Sequence, residues 1–90
     1  MYKMKKVISS NIKSVGYDKD NSKMIVIFNN GGAYIYDKVK EEDFNNLHKA
    51  ESVGKHLHSI KNKYESGKVE DLKKVEMEFS DLKKKDEDDV

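Results

Sequence analysis

The clearest pattern in the chain is a pair of alternating runs, KMIVIF at 23–28 and AYIY at 33–36, separated by Asn29-Asn30-Gly31-Gly32. Within Lys23 to Val39, Met24, Val26 and Phe28 share one face and Ile25 and Ile27 the other. On the returning run Tyr34 and Tyr36 share a face, opposite Ala33 and Ile35. A period of two predicts strands, and Asn and Gly tolerate the positive φ of a tight turn, so the stretch predicts a β-hairpin. Both of its faces are partly apolar. A sheet covered by helices on one side leaves Ile25, Ile27 and Ile35 in need of cover, which marks them as a protein-interaction face or the base of a second packing layer.

Val7 to Asp18 predicts a strand before the hairpin, with Ile8, Ile12, Val15 and Tyr17 as its apolar positions. The alternation breaks between Ile12 and Val15, which predicts a bulge or bend there. After Val39 the period becomes helical. Glu41-Glu42-Asp43 puts acids in a first turn, followed by the short stripe Phe44, Leu47, Ala50. Ser52 is placed to cap a second helix with Val53, Leu57, Ile60 and Tyr64 along one side, ending at Ser66-Gly67. A thinner stripe, Val69, Leu72, Val75 or Glu76, Phe79 and Leu82, predicts a third helix that packs on the open sheet face, pairs with another copy, or orders only in part. Residues 83–89 predict a solvated tail. The expected fold is α+β: a small antiparallel sheet of about three strands packed against two helices, with a charged C-terminal helix or tail. That divides the chain into a domain at 1–66 and an extension at 67–90.

Composition narrows the chemistry. The 90 residues contain no cysteine and no proline, which excludes disulfides and thiolate metal sites and fits a cytoplasmic protein. No apolar run approaches the ~20 residues of a membrane span, and no apolar stretch follows the N-terminal lysines as a secretory signal requires. The net charge of +1 is unevenly spread: residues 1–40 carry eight lysines against three aspartates, and residues 66–90 six lysines against nine acids. Every basic residue apart from the histidines is lysine. Arginine is the usual reader of guanine edges, so the balance favours salt-dependent backbone contact over sequence-specific readout.

Two sets of residues invite a binding role. Tyr17 and Tyr34, on neighbouring predicted strands with Tyr36, offer rings for stacking unpaired bases, against the ordinary alternative that they are core. Lys55, His56, Lys61 and Lys63, with His58, lie around the second predicted helix as an anion-binding strip, against the alternative of a plain solvated face. The histidines do not form a metal site: His56 and His58 are two apart, about 200° around a helix. The serines lie in no nucleophile motif, and Gly31-Gly32 lacks the Lys-Ser/Thr of a phosphate loop. No catalytic residues and no cofactor are expected, which leaves a small non-enzymatic binding module.

A family resemblance runs through the same residues. Ser9-Ser10-Asn11-Ile12 with Ser14-Val15-Gly16-Tyr17-Asp18, then Met24-x-Val26-x-Phe28, Gly31-Gly32, Tyr34-x-Tyr36-x-x-Val39, Phe44-x-x-Leu47-x-x-Ala50-x-Ser52-x-Gly54, Ile60 and Tyr64 resemble the KTSC domain. That family takes its name from the C-terminus of some lysyl-tRNA synthetases and includes small free-standing proteins of bacteria and phages. The resemblance implies RNA, or a nucleotide, as partner by association with the synthetases. A phage or mobile-element factor that binds a host protein, for example a defence component, or sequesters a signalling nucleotide is the alternative. Self-association through Ile25, Ile27 and Ile35 or the third stripe is a further one.

Overall fold

The computed structural model describes residues 1–79, and the expected tail at 83–89 and Leu82 lie outside them. The chain runs β1 (Tyr2–Lys6), β2 (Ile12–Asp18), β3 (Lys23–Phe28), β4 (Ala33–Tyr36), α1 (Glu41–His48), α2 (Val53–Lys63), β5 (Ser66–Lys68), a 3-10 turn at Leu72–Lys74, and β6 (Met77–Phe79). The sheet has six strands in the order β5-β4-β3-β2-β1-β6, where the sequence predicts about three. All pairings are antiparallel except β1 with β6.

The hairpin forms as predicted. Val26 pairs with Tyr34 and Ile25 with Ile35. Gly31 sits at φ +94, which an L side chain rarely adopts, and Phe28 N–H donates to Gly32 C=O at 2.8 Å to close the turn. The irregularity expected between Ile12 and Val15 falls between Ile12 and Ser14. The strand itself begins at Ile12 rather than Val7. Ser9 Oγ accepts the backbone N–H groups of both Asn11 and Ile12, turning the chain just before the ladder starts. Three strands are missing from the expectation, β1, β5 and β6; in β1 the buried Tyr2 and Met4 alternate with exposed Lys3 and Lys5. Gly16 on β2 leaves the space that Met4 fills: a Cβ there would lie 2.2 Å from Met4 Sδ.

Two layers of packing result. Ile12, Val15, Tyr17, Met24, Val26 and Tyr36 from the sheet meet Phe44 and Leu47 of α1 and Val53, Leu57 and Ile60 of α2. Tyr17 stacks on Phe44, with ring centroids 5.3 Å apart, and its hydroxyl donates to Val39 C=O at 2.6 Å. The opposite face is covered as well. Val69, Leu72, Val75, Met77 and Phe79 pack against Tyr2, Met4, Ile25, Ile27 and Ala33, with Ile35 beside them.

The stripe at 69–79 therefore does not form the predicted helix. Val69 N–H donates to Ala33 C=O, and Tyr2 N–H donates to Glu76 C=O, so the chain is fixed to both edges of the sheet and crosses its second face between them. Asp71, whose carboxylate accepts Lys73 N–H, supports only one short turn on the way. Ser66-Gly67, expected to end a helix, instead belongs to β5, which straddles the anticipated boundary at 66/67. An apolar spacing of three serves a helix lying on a surface, and it serves equally a strap laid across strands.

The two helices are tied where α2 ends. Tyr64 Oη donates to Asp43 in the first turn of α1, and Lys63 Nζ lies 3.1 Å from the same carboxylate. The tyrosine hydrogen bond, helped by Lys63, holds the Asp43 carboxyl below its ordinary value of 3.8. Burial beside Phe44, with Lys5 and Lys49 nearby, holds the His48 imidazole below its ordinary 6.5. For both groups the unfolded chain binds protons first on acidification, so stability falls as pH falls. A series of thermal midpoints should decline below pH 6.5 through His48, then again below 3.8 through Asp43. His48→Gln should flatten the first decline and Asp43→Asn the second.

Candidate functional site

One cleft brings polar side chains together with an aromatic ring, a histidine and a lysine. It lies between α2 and the end of the sheet where β2 begins and the β3–β4 turn projects. Its volume is about 430 Å³, and it is lined by Ser10, Asn11, Ile12, Phe28, Asn29, Asn30, Gly54, Leu57, His58 and Lys61. The helical contribution follows from spacing: 54, 57, 58 and 61 fall along one flank at about 100° per residue. Leu57 at the flank's inner edge is buried, while His58 and Lys61 are exposed. None of the lining residues is acidic.

The sheet side of the cleft is pinned by side-chain amides. Asn29 Nδ2 donates to Ser10 C=O at 2.9 Å, and Asn29 N–H donates to Asn11 C=O at 2.8 Å, so the Ser9–Asn11 turn is joined to the hairpin. Asn30 Oδ1 accepts Gly32 N–H at 2.9 Å. Beyond the helices, Phe28 is half-buried and meets Tyr34 edge-on, with centroids 6.0 Å apart. Tyr34 is 37% exposed and so keeps its ring accessible. A second depression of about 450 Å³ adjoins the cleft and shares Ser10, Asn11, Gly54 and His58 with it. Ile8, Glu51, Ser52 and Lys55 are among the residues that line its outer part.

The residues singled out in the sequence are divided by this geometry. Lys61 lines the cleft, Lys55 the adjoining depression, and Tyr34 touches Phe28, itself a lining residue. His56 and Lys63 lie on the other flank of α2; Lys63 pairs with Asp43 and sits 5.6 Å over the Tyr64 ring. Tyr17 is core, and its ring faces Phe44, so it offers no stacking surface. Ile25 and Ile27 are buried and Ile35 half-buried under the segment at 69–79, so among the described residues they form no open face. His58, part of the expected strip, lines the cleft beside Lys61, whereas Phe28, Asn29 and Asn30 complete it without having been singled out as binding residues. Phe28 reads as core because it alternates with Val26, yet it packs against that core only in part.

A six-stranded, mainly antiparallel sheet with two helices on one face, and an aromatic-and-lysine cleft at its end, defines a small α+β domain. The KTSC domain model matches residues 8–64, so the chain belongs to the KTSC family. A crystal structure of a KTSC domain protein from Yersinia pestis is 34% identical and superposes with a TM-score of 0.72. The match covers 77% of this chain and 99% of that one. No curated protein matches the chain. The matched family region includes every cleft residue. It excludes β1 and the segment from β5 onward, which together build the outer strands and the second layer. No helix among the described residues is long and apolar enough to cross a membrane.

Proposed function

We propose that this chain is a non-enzymatic module that binds unpaired RNA or a nucleotide in the cleft between α2 and the hairpin. The observation that carries the reading is the meeting of Phe28 with Lys61 and His58 around one space whose lining holds no carboxylate, with the Tyr34 ring edge-on against Phe28. Aromatic rings stack bases without regard to sequence, and lysine or protonated histidine neutralises phosphate as a point charge. Side-chain amides from Asn11 and Asn30 are of the kind that engages base edges. The volume of about 430 Å³ lies within the range of small-ligand sites. The synthetase association of the family agrees with this chemistry. Of the grounds for a host-protein partner, the face of Ile25, Ile27 and Ile35 is covered by the chain itself, so the cleft carries the proposal.

Gly54 separates binding from stability. A Cβ at this position would meet only Ser9 Oγ, at 3.9 Å, so alanine fits without strain. Replacing a helical glycine by alanine should raise stability by about 0.5–1 kcal/mol. The same methyl enters the groove lined by Gly54, so Gly54→Ala should weaken binding of a short single-stranded RNA several-fold in a fluorescence-anisotropy titration. A more stable variant with undiminished binding contradicts the site. Absence of any RNA or nucleotide binding by the parent chain at low salt overturns the function.

A further inference from the structure

We infer that the groove takes an unpaired dinucleotide step, two stacked-out bases and the phosphate between them, rather than a single nucleotide; this rests on the function proposed above. The cleft and the depression beside it are continuous through His58 and Gly54, and each has the volume of a small-ligand site, about 430 and 450 Å³. Each end carries an apolar surface. Phe28, extended by Tyr34, stands at one end, and Ile8 stands at the other.

Ile8 is 97% exposed, the most exposed large apolar side chain among the described residues. A single exposed isoleucine is unremarkable on a surface, but this one forms a wall of the groove. Charge orders the occupants between the ends. His58 lines both depressions, with Lys61 in the inner one and Lys55 in the outer one, so the phosphate belongs near the middle, between the two lysines. Glu51 accompanies Ile8 at the outer end, where a carboxylate repels phosphate but accepts a hydrogen bond from an amino group or a ribose hydroxyl. The first base then stacks at Phe28 and Tyr34, and the second lies against Ile8. A duplex has no base to place at either end.

Three probes test the arrangement on the full chain by competition anisotropy: adenosine monophosphate, the diadenylate dinucleotide, and a four-residue oligoadenylate. The dinucleotide should bind about tenfold or more tightly than the monophosphate, since stacking of a second base contributes at that order. The four-residue strand should add little beyond it at moderate salt. Ile8→Ala should weaken the dinucleotide about threefold to fivefold and leave the monophosphate unchanged, by loss of one apolar contact. Because Ile8 is exposed, that variant keeps its fold. Tyr34→Ala should weaken both probes. Equal affinity for monophosphate and dinucleotide, with Ile8→Ala silent, overturns the two-base groove and leaves nucleotide binding standing. Binding of none of the three probes overturns the binding function itself.

Discussion

Lys55→Glu combined with Lys61→Glu should lower the affinity for short single-stranded RNA at least tenfold at about 50 mM salt, with the fold unaffected. Both side chains are exposed and neither takes part in the ion pairs that hold the helices together, so the thermal midpoint should move little. The loss comes from electrostatics. Each lysine that neutralises a phosphate releases a counterion, and for single strands the slope of log affinity against log salt falls by about 0.7 per contact. Removing two contacts should therefore flatten the slope by about 1.4, and the reversed charges add repulsion to that. Lys63→Glu is the matched control. Lys63 is a similar lysine on α2, paired with Asp43 on the far flank, so its reversal should alter the acid stability of the Asp43 contact more than RNA binding. Equal losses from both flanks would show that general charge, not the cleft, drives association.

Ile25→Asp should prevent folding. Ile25 has no exposed surface, and it lies on a central strand beneath the second layer formed by residues 69–79. Burial of an unpaired carboxylate costs several kcal/mol, and a chain of this size has a net stability of about 5–10 kcal/mol. Loss of the isoleucine's own packing adds to that. If the sheet carried helices on one side only, aspartate at this position would face water and be tolerated. Circular dichroism and urea denaturation distinguish the two cases. Leu72→Asp with Val75→Asp attacks the same layer from its other side. Both residues are only half-buried, so the expected loss is smaller, about 1–3 kcal/mol, with exposure of apolar surface that dye binding detects.

How far the sequence predicted this architecture depended on whether its signals were local. The hairpin was legible because turn chemistry at Asn29–Gly32 and strand alternation agreed within a dozen residues. Both helices were legible from apolar spacing, and both end earlier than expected: α1 at His48, before Ala50, and α2 at Lys63, before Tyr64. The bulge after Ile12 was legible because Val15 and Tyr17 resume the alternation out of step. What stayed hidden was non-local. Tyr2-x-Met4 is too short a run to announce a strand among lysines, and it becomes one by pairing with Ser14–Tyr17. The segment at 69–79 has helical spacing but takes its conformation from two sheet edges, one of them in β1 at the other end of the chain.

The site was legible in kind more than in membership. Lysines on α2 were anticipated, but Tyr17 and Tyr34 read alike in the sequence, as stacking rings or as core. They diverge because Phe44 of α1 lies over Tyr17, whereas Tyr34 meets Phe28 edge-on and stays exposed. Likewise Lys61 and Lys63 differ by two positions, which puts them on opposite flanks of α2. The capping position Ser52 makes no side-chain hydrogen bond to the helix it precedes; it lines the outer depression instead.

The central claim is that unpaired nucleotides bind between α2 and the hairpin. A nitrogen-15 NMR titration of the full chain with a short single-stranded RNA at low salt tests it residue by residue. The predicted result is a contiguous set of shifted amides at Ser10, Asn11, Phe28, Asn29, Asn30, Gly54, His58 and Lys61, saturating together. Shifts confined to the strap at 69–79 or to the Asp43–Tyr64 contact, or no shifts at all, would contradict it.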